Sequence, residues 1–153
     1  MLLVKSFLRK NDNFVPVSDF IGGIPDSDYI EGAIEIFVQQ KGLLTLEAWD
    51  YVDQLWCYFV DGLFEVVEGK EFETYLPDQP LKVVFRPDRY KRRVTIEVGD
   101  DETRSASVEY GEFMHVMTEE GIAFFQRLAE LVPGSRTFYK EMAQRLSMLE
   151  KKN

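Results

Sequence analysis

The stretch 45–68, TLEAWDYVDQLWCYFVDGLFEVVE, is the sequence feature that most constrains the fold. Its large apolar residues recur every three or four positions, which places them on one side of a helix. They are Trp49, Val52, Trp56, Phe59, Leu63 and Val67. Polar residues recur on the opposite side: Glu47, Asp50, Gln54, Asp61, Glu65 and Glu68. The pattern predicts a long amphipathic helix, capped by Thr45 and ended by Gly69, with both tryptophans facing the core.

Short segments with strand character surround this helix. Alternation of apolar and polar residues predicts strands at 30–39, 71–76, 81–86, 93–98 and 105–110, each with one packed and one solvated face. Helical spacing predicts two further helices at 118–132 and 135–152. We therefore expect an α+β fold, in which an antiparallel sheet of about five strands carries the long helix and the two C-terminal helices on one face.

Chain length and cysteine content limit the class of protein. With 153 residues we expect a single domain over 1–153, with an irregular segment at 1–29, a core of strand, helix and meander at 30–110, and the two helices at 118–152. The single cysteine, Cys57, cannot form an internal disulfide, which is typical of a reducing compartment. The apolar run at the N-terminus is too short for a signal peptide or a membrane span. We expect a cytoplasmic protein that does not bind membranes.

Charge is distributed unevenly along the chain. Residues 1–80 hold 15 acidic and 5 basic side chains, a balance of −10, whereas residues 81–153 hold 12 acidic and 13 basic ones. The acidic half should repel nucleic acid and attract a basic protein partner, although a merely solvated surface would have the same composition. The predicted partner-binding residues are Glu47, Asp50, Tyr51, Tyr58, Asp61 and Glu65.

Two other groups of residues could bind ligands. A run of five bases, Arg86, Arg89, Lys91, Arg92 and Arg93, could contact an anion at a hairpin tip, or could form a solvated turn paired with nearby acids. Alternatively, Trp49, Asp53 and Trp56 could line an aromatic pocket for a small molecule beneath the loop at 14–29, although tryptophans at this spacing are also typical core residues.

Catalytic and metal-binding motifs are absent from the sequence. It has no phosphate-binding glycine loop, nucleophile elbow or zinc-ligand spacing, so we expect neither a metal nor a cofactor. An enzyme is the third hypothesis, and it requires at least two of His115, Asp53 and Cys57 to converge in a cleft.

Two segments carry a resemblance to known proteins. WDYVDQLW followed by FETYLPDQPLKVVFRPD is similar to small uncharacterised bacterial proteins with no established activity, over about residues 30–100. In size, acidity and α+β character the chain also resembles immunity proteins of bacterial toxin systems. The leading hypothesis is a non-enzymatic interaction or immunity-type protein, present as a monomer or homodimer.

Overall fold

The computed structural model describes the backbone of residues 1–152 and the side chains of residues 1–150. Its strands are β1 (Leu2–Lys10), β2 (Asn13–Pro16), β3 (Glu31–Val38), β4 (Lys41–Leu44), β5 (Asp50–Tyr51), β6 (Phe72–Leu76), β7 (Gln79–Pro87), β8 (Arg93–Gly99) and β9 (Thr103–Glu109). Its α-helices are α1 (Val52–Val67), α2 (Tyr110–Leu131) and α3 (Arg136–Lys152). Single turns of 3₁₀ helix lie at Val17–Asp19, Leu46–Ala48 and Pro133–Ser135. The predicted α+β class is confirmed.

The strands form two antiparallel sheets. The first has the order β2-β1-β3-β4, with the short β5 also paired to β3, and the second has the order β6-β7-β8-β9. Helix α1 contacts both sheets, α2 packs on β1, β8 and β9, and α3 packs mainly on α2. Of the five predicted strands, the one at 30–39 belongs to the first sheet and the other four form the second.

The N-terminal segment is more regular than its sequence suggests. Residues 1–29 are predicted to be irregular, yet they contain β1, β2 and a 3₁₀ turn. In the middle of β1 three consecutive residues, Ser6, Phe7 and Leu8, are buried, so the strand has packing on both faces there. A strand packed on both faces does not show the alternation that marks a solvated sheet. Residues 20–29, which carry Gly22 at a φ of 107°, contain no helix or strand.

Helix α1 is shorter than predicted at its N-terminal end. It begins at Val52, because the chain around Trp49 and Asp50 is extended and Asp50–Tyr51 pairs with β3. Trp56 is fully buried as expected, whereas Trp49 precedes the helix. The C-terminal end matches the prediction, since Gly69 has a φ of 78°. The N–H groups of Gly69 and Lys70 donate to the carbonyls of Val66 and Glu65, which is a Schellman motif.

Six large side chains form the centre of the core. Each is less than 2% exposed, and they come from α1, β7 and α2: Trp56, Phe59, Phe85, Phe113, Phe124 and Phe125. Their rings meet in edge and tilted contacts, with centroid distances of 5.1 to 6.0 Å along the chain from Phe59 through Phe85 to Phe113 and from Trp56 through Phe124 to Phe125. The high aromatic content of the sequence is therefore concentrated between the sheets and α2.

Helix α2 begins at Tyr110, eight residues before the start predicted at 118, and it covers the part of the β1 edge that β2 leaves open. The carboxylate of Glu112 accepts the Leu2 N–H at 2.8 Å, and that of Glu120 accepts the Ser6 N–H at 2.8 Å. Eight helical residues span about 12 Å and four strand residues span about 13 Å, so the spacings of acceptors and donors match. Two backbone N–H groups that β2 leaves unpaired, those of Leu2 and Ser6, are thus satisfied by side chains of α2.

Candidate binding cleft

An acidic cleft of about 310 Å³ lies where three segments meet. These are the start of β3, the extended chain before α1 and the turn between β6 and β7. The residues that line it are Glu31, Glu47, Trp49, Asp50, Tyr51, Asp78 and Gln79. Three of them, Glu47, Asp50 and Tyr51, belong to the predicted partner-binding set, and Trp49 belongs to the predicted ligand pocket.

Asp50 holds the walls of this cleft together. Its carboxylate accepts the N–H of Tyr51 at 2.7 Å and the N–H of Asp78 at 3.0 Å. The side-chain amide of Gln79 donates in the opposite direction, to the carbonyl of Trp49. These bonds join the first sheet, through β5, to the turn between β6 and β7 in the second. These bonds therefore tie together the backbone segments that carry the lining side chains.

The cleft carries negative charge on aromatic walls. Glu31, Glu47 and Asp78 are exposed, and the ring of Tyr51 lies 5.4 Å from that of Tyr29. Loss of water around its phenol raises the pKa of Tyr51, and the charges of Asp78 and Glu31 raise it further. A negative potential beside aromatic faces favours a cation over an anion.

Arg9 of β1 already lies at the border of the cleft. Its guanidinium is centred 4.1 Å above the ring of Trp49 and lies 3.7 Å from the carboxylate of Glu31. On its other side it lies 3.4 Å from the carboxylate of Asp12. An arginine of the chain itself thus uses one aromatic wall and one acid of the cleft.

The predicted partner surface divides into two parts, and one residue does not belong to it. Asp50 is only 4% exposed and both its oxygens bind backbone N–H groups, so it cannot contact a partner. Glu47 and Tyr51 line the cleft. Tyr58, Asp61 and Glu65 lie further along α1, where Asp61 is 3.5 Å from Arg145 of α3.

The three residues predicted to line a small-molecule pocket lie in different environments. Trp56 is fully buried and its indole N–H donates to Ser6 Oγ at 2.9 Å, so it is a core residue. Asp53 accepts the hydroxyl of Tyr139 at 3.3 Å, and burial raises the pKa of its carboxyl. One cavity at the 14–29 loop, of about 210 Å³, has another lining: Arg9, Lys10, Asn11, Phe20, Ile21, Gly22, Gly23 and Pro25. A second one, of about 430 Å³, lies between residues 16–18, β1 and α2. The three predicted residues line neither cavity, and small-molecule binding by them stays a prediction.

The basic run does not converge on one point. Arg86 pairs with Glu71 and Glu97 on the solvated face of the second sheet, and Arg93 donates to Ser107. Lys91 donates to the carbonyl of Val67 at 2.9 Å.

At the tip of the hairpin between β7 and β8, Arg89 and Arg92 flank the exposed ring of Tyr90 at 5.6 and 5.7 Å. Anion binding by the run remains a prediction, and Arg89 and Arg92 are the members of it that lie on either side of one ring at the hairpin tip.

The catalytic candidates Cys57 and His115 lie in different environments. Burial, reinforced by the charges of Asp53 and Asp61, raises the pKa of Cys57 to about 12, so its thiol is protonated at neutral pH. His115 is exposed on α2, with its Nε2 3.6 Å from Glu119. Within the described residues no group of three or more histidine, cysteine, aspartate or glutamate side chains is placed to hold a metal ion. None of the helices within residues 1–152 combines the length and apolar character that a membrane crossing requires.

Sequence reasoning missed four residues of the cleft region. Glu31 lies in the predicted strand at 30–39, and Asp78 and Gln79 lie between the predicted strands at 71–76 and 81–86. Arg9 lies far from them in sequence and carries no motif. Pro77 and Pro80 indicate a break between strands, but no sequence signal places Asp78 beside Tyr51.

Comparison of the chain with protein-family models, with curated proteins and with solved structures found no match in any of the three. The resemblances to uncharacterised bacterial proteins and to immunity proteins stay predictions. The site is thus interpreted from its own geometry.

Proposed function

We propose that this protein is a non-enzymatic interaction domain that binds a basic protein partner through the acidic cleft. The observation that supports this proposal is the convergence of three exposed carboxylates, Glu31, Glu47 and Asp78, on a cleft walled by Trp49 and Tyr51. Carboxylates bind lysine and arginine by charge, and aromatic faces attract the same cations. An immunity-type inhibitor, which neutralises a basic toxin, is one form that such a protein takes.

The tied walls of the cleft lower the entropic cost of binding. Asp50 and Gln79 tie its walls, so little ordering is needed when a partner docks. Tyr58 and Glu65, half-buried on α1, would extend the contact beyond the cleft. We further propose a cytoplasmic location, in keeping with the single cysteine.

Charge reversal at the cleft tests this proposal. The double variant Glu47→Lys/Asp78→Lys changes two exposed cleft residues, whereas Glu119→Lys/Glu141→Lys makes the same change in net charge on α2 and α3. Immobilised wild-type protein would be used to recover partners from the source organism, and the affinity of a purified partner would then be measured by calorimetry.

We expect the cleft variant to bind at least about tenfold more weakly, equivalent to about 1.4 kcal/mol, and the helix variant to bind within about twofold of wild type at 0.15 M salt. Equal losses in both variants would show that only net charge matters. Unchanged binding in both would place the interface elsewhere on the molecule.

A small-molecule domain is the second candidate. The observations in its favour are the two cavities at the 14–29 loop, of about 210 and 430 Å³, since ligand pockets commonly start at about 300 Å³. A thermal-shift screen of metabolites separates the two candidates, because a ligand at about 100 times its Kd adds about 2.7 kcal/mol of stability. A hit that Ile21→Asp abolishes and Glu47→Lys leaves intact would favour the second candidate.

A further inference from the structure

Arg9 and a basic partner have the same requirements in the acidic cleft. The guanidinium of Arg9 covers the ring of Trp49 at 4.1 Å and lies 3.7 Å from Glu31, and both of these residues line the cleft. A cation that enters from outside would seek the same ring and the same carboxylate. On the basis of the proposed function, we propose that Arg9 makes an autoinhibitory contact, in which its guanidinium competes with an arginine of the partner for Trp49 and Glu31.

The neighbourhood of Arg9 gives its side chain a second position. Asp12, in the turn between β1 and β2, has an almost fully exposed side chain, and its carboxylate is already 3.4 Å from the guanidinium. A guanidinium displaced from Trp49 can pair with Asp12 and remain hydrated. Its release therefore breaks one aromatic contact and one ion pair without leaving a buried charge.

The contact with Trp49 also indicates which cation the cleft prefers. A planar guanidinium stacks on an aromatic ring and pairs with a carboxylate along its edge, whereas an ammonium acts as a compact and strongly hydrated charge. The geometry around Arg9 has both the ring and the carboxylate. The partner residue that replaces Arg9 is accordingly an arginine rather than a lysine.

The test uses the full chain and a short peptide, acetyl-Ser-Gly-Arg-Gly-Ser-amide, with lysine and citrulline versions as controls. Binding would be followed by NMR through the indole N–H signal of Trp49, assigned with Trp49→Phe, while the buried Trp56 gives an internal reference. The variants are Arg9→Gln and, as a matched loss of one charge on the adjacent residue, Lys10→Gln. The Lys10 ammonium donates to the carbonyl of Ile21 and lies over the ring of Phe20, whereas Arg9 contacts Trp49 and Glu31.

We expect Arg9→Gln to bind the arginine peptide about fivefold more tightly than wild type, since an exposed cation–π contact and an ion pair together amount to about that factor. Lys10→Gln should change the affinity less than about twofold, because salt screens charges beyond about 8 Å. Arg9→Lys, which keeps the charge, should lie between wild type and Arg9→Gln. The lysine peptide should bind more weakly than the arginine peptide, and the citrulline peptide should not bind.

Other outcomes separate the two proposals. Equal affinities of wild type and Arg9→Gln would overturn autoinhibition and leave the cationic cleft intact, and weaker binding by Arg9→Gln would make Arg9 part of the docking surface. An equal increase in peptide affinity in Arg9→Gln and Lys10→Gln would show that only the net charge of the protein matters, and it would overturn autoinhibition by Arg9. Absence of binding by every variant would overturn the proposed function and, with it, this inference.

Discussion

The substitution Asp50→Ala separates structure from recognition at the cleft. It removes the carboxylate that accepts the N–H groups of Tyr51 and Asp78 at 2.7 and 3.0 Å, at a position that is only 4% exposed. Each charge-assisted bond contributes about 1.5 kcal/mol at the low end of its usual range. The loss should therefore lower the free energy of unfolding by about 3 kcal/mol.

For a chain of this length, 1 kcal/mol corresponds to about 2–4 °C in Tm, so Asp50→Ala should lower Tm by about 6–12 °C. Asp50→Asn, which keeps one acceptor oxygen, should lose about half as much. Urea unfolding followed by circular dichroism gives the free energy, and an unchanged m-value would show that the unfolded state is not altered.

Glu47→Ala is the matched control, because Glu47 is exposed in the same cleft. It should leave stability within about 0.5 kcal/mol of wild type. If Asp50→Ala were as stable as Glu47→Ala, the carboxylate of Asp50 would not hold the cleft together. Its assignment as a structural residue would then be wrong, and it would return to the candidate partner contacts.

Three further substitutions or measurements test the packing and the buried groups. Gly62→Ala should destabilise the protein by about 1–2 kcal/mol in urea unfolding, because a Cβ at this position would lie 2.5 Å from the Phe72 ring. Gly111→Ala is the control: a Cβ there would have no atom within 4 Å, so the change should be neutral or stabilising. Burial raises the pKa of the Glu120 carboxyl in the native state above its ordinary value near 4.3. Between the unfolded-state and the native-state pKa, the native protein therefore binds more protons than the unfolded chain. The free energy of unfolding contributed by Glu120 falls as pH rises through that window. Glu120→Gln keeps an amide oxygen that can accept the Ser6 N–H, so it should have a higher Tm than wild type at pH 7. This difference in Tm should shrink as the pH falls toward 4. An equal Tm at pH 7 would contradict the raised pKa of Glu120. With a pKa of about 12, Cys57 should react with a disulfide reagent at pH 8 about a thousandfold more slowly in the native protein than in urea, and similar rates would show that the thiol is not buried as described.

The parts of the fold that local chemistry determines could be predicted from the sequence. The alternation of Val94, Ile96 and Val98 with polar neighbours identified β8 and its buried face. Gly69 ended α1 with the expected positive φ. In both cases the signal lies within a few residues of the structure that it specifies, so no knowledge of distant partners was needed.

The remaining features depend on contacts between distant segments. Helix α1 starts at Val52 rather than after Thr45 because Asp50 and Tyr51 pair with β3 instead of joining the helix. The carboxylate of Asp50 also binds the backbone of Asp78, 28 residues away. The division into two sheets depends on which strands pair, and a pattern of alternation does not specify its partner. For the same reason the cleft could be predicted only in part: Glu47 and Tyr51 lie in one stretch, whereas Arg9, Glu31 and Asp78 join them through the fold.

The packing of α2 against the edge of β1 has a consequence for synthesis on the ribosome. The acceptors for the Leu2 and Ser6 N–H groups are Glu112 and Glu120, which lie 110 and 114 residues later in the chain. At a rate of about 5–20 residues per second, the nascent N-terminal strand waits roughly 5–20 seconds before its protecting residues exist. During that interval the edge of the strand is open to solvent and to other chains. The yield of soluble protein should therefore depend on translation speed across the middle of the message, even for synonymous codons that leave the finished molecule unchanged.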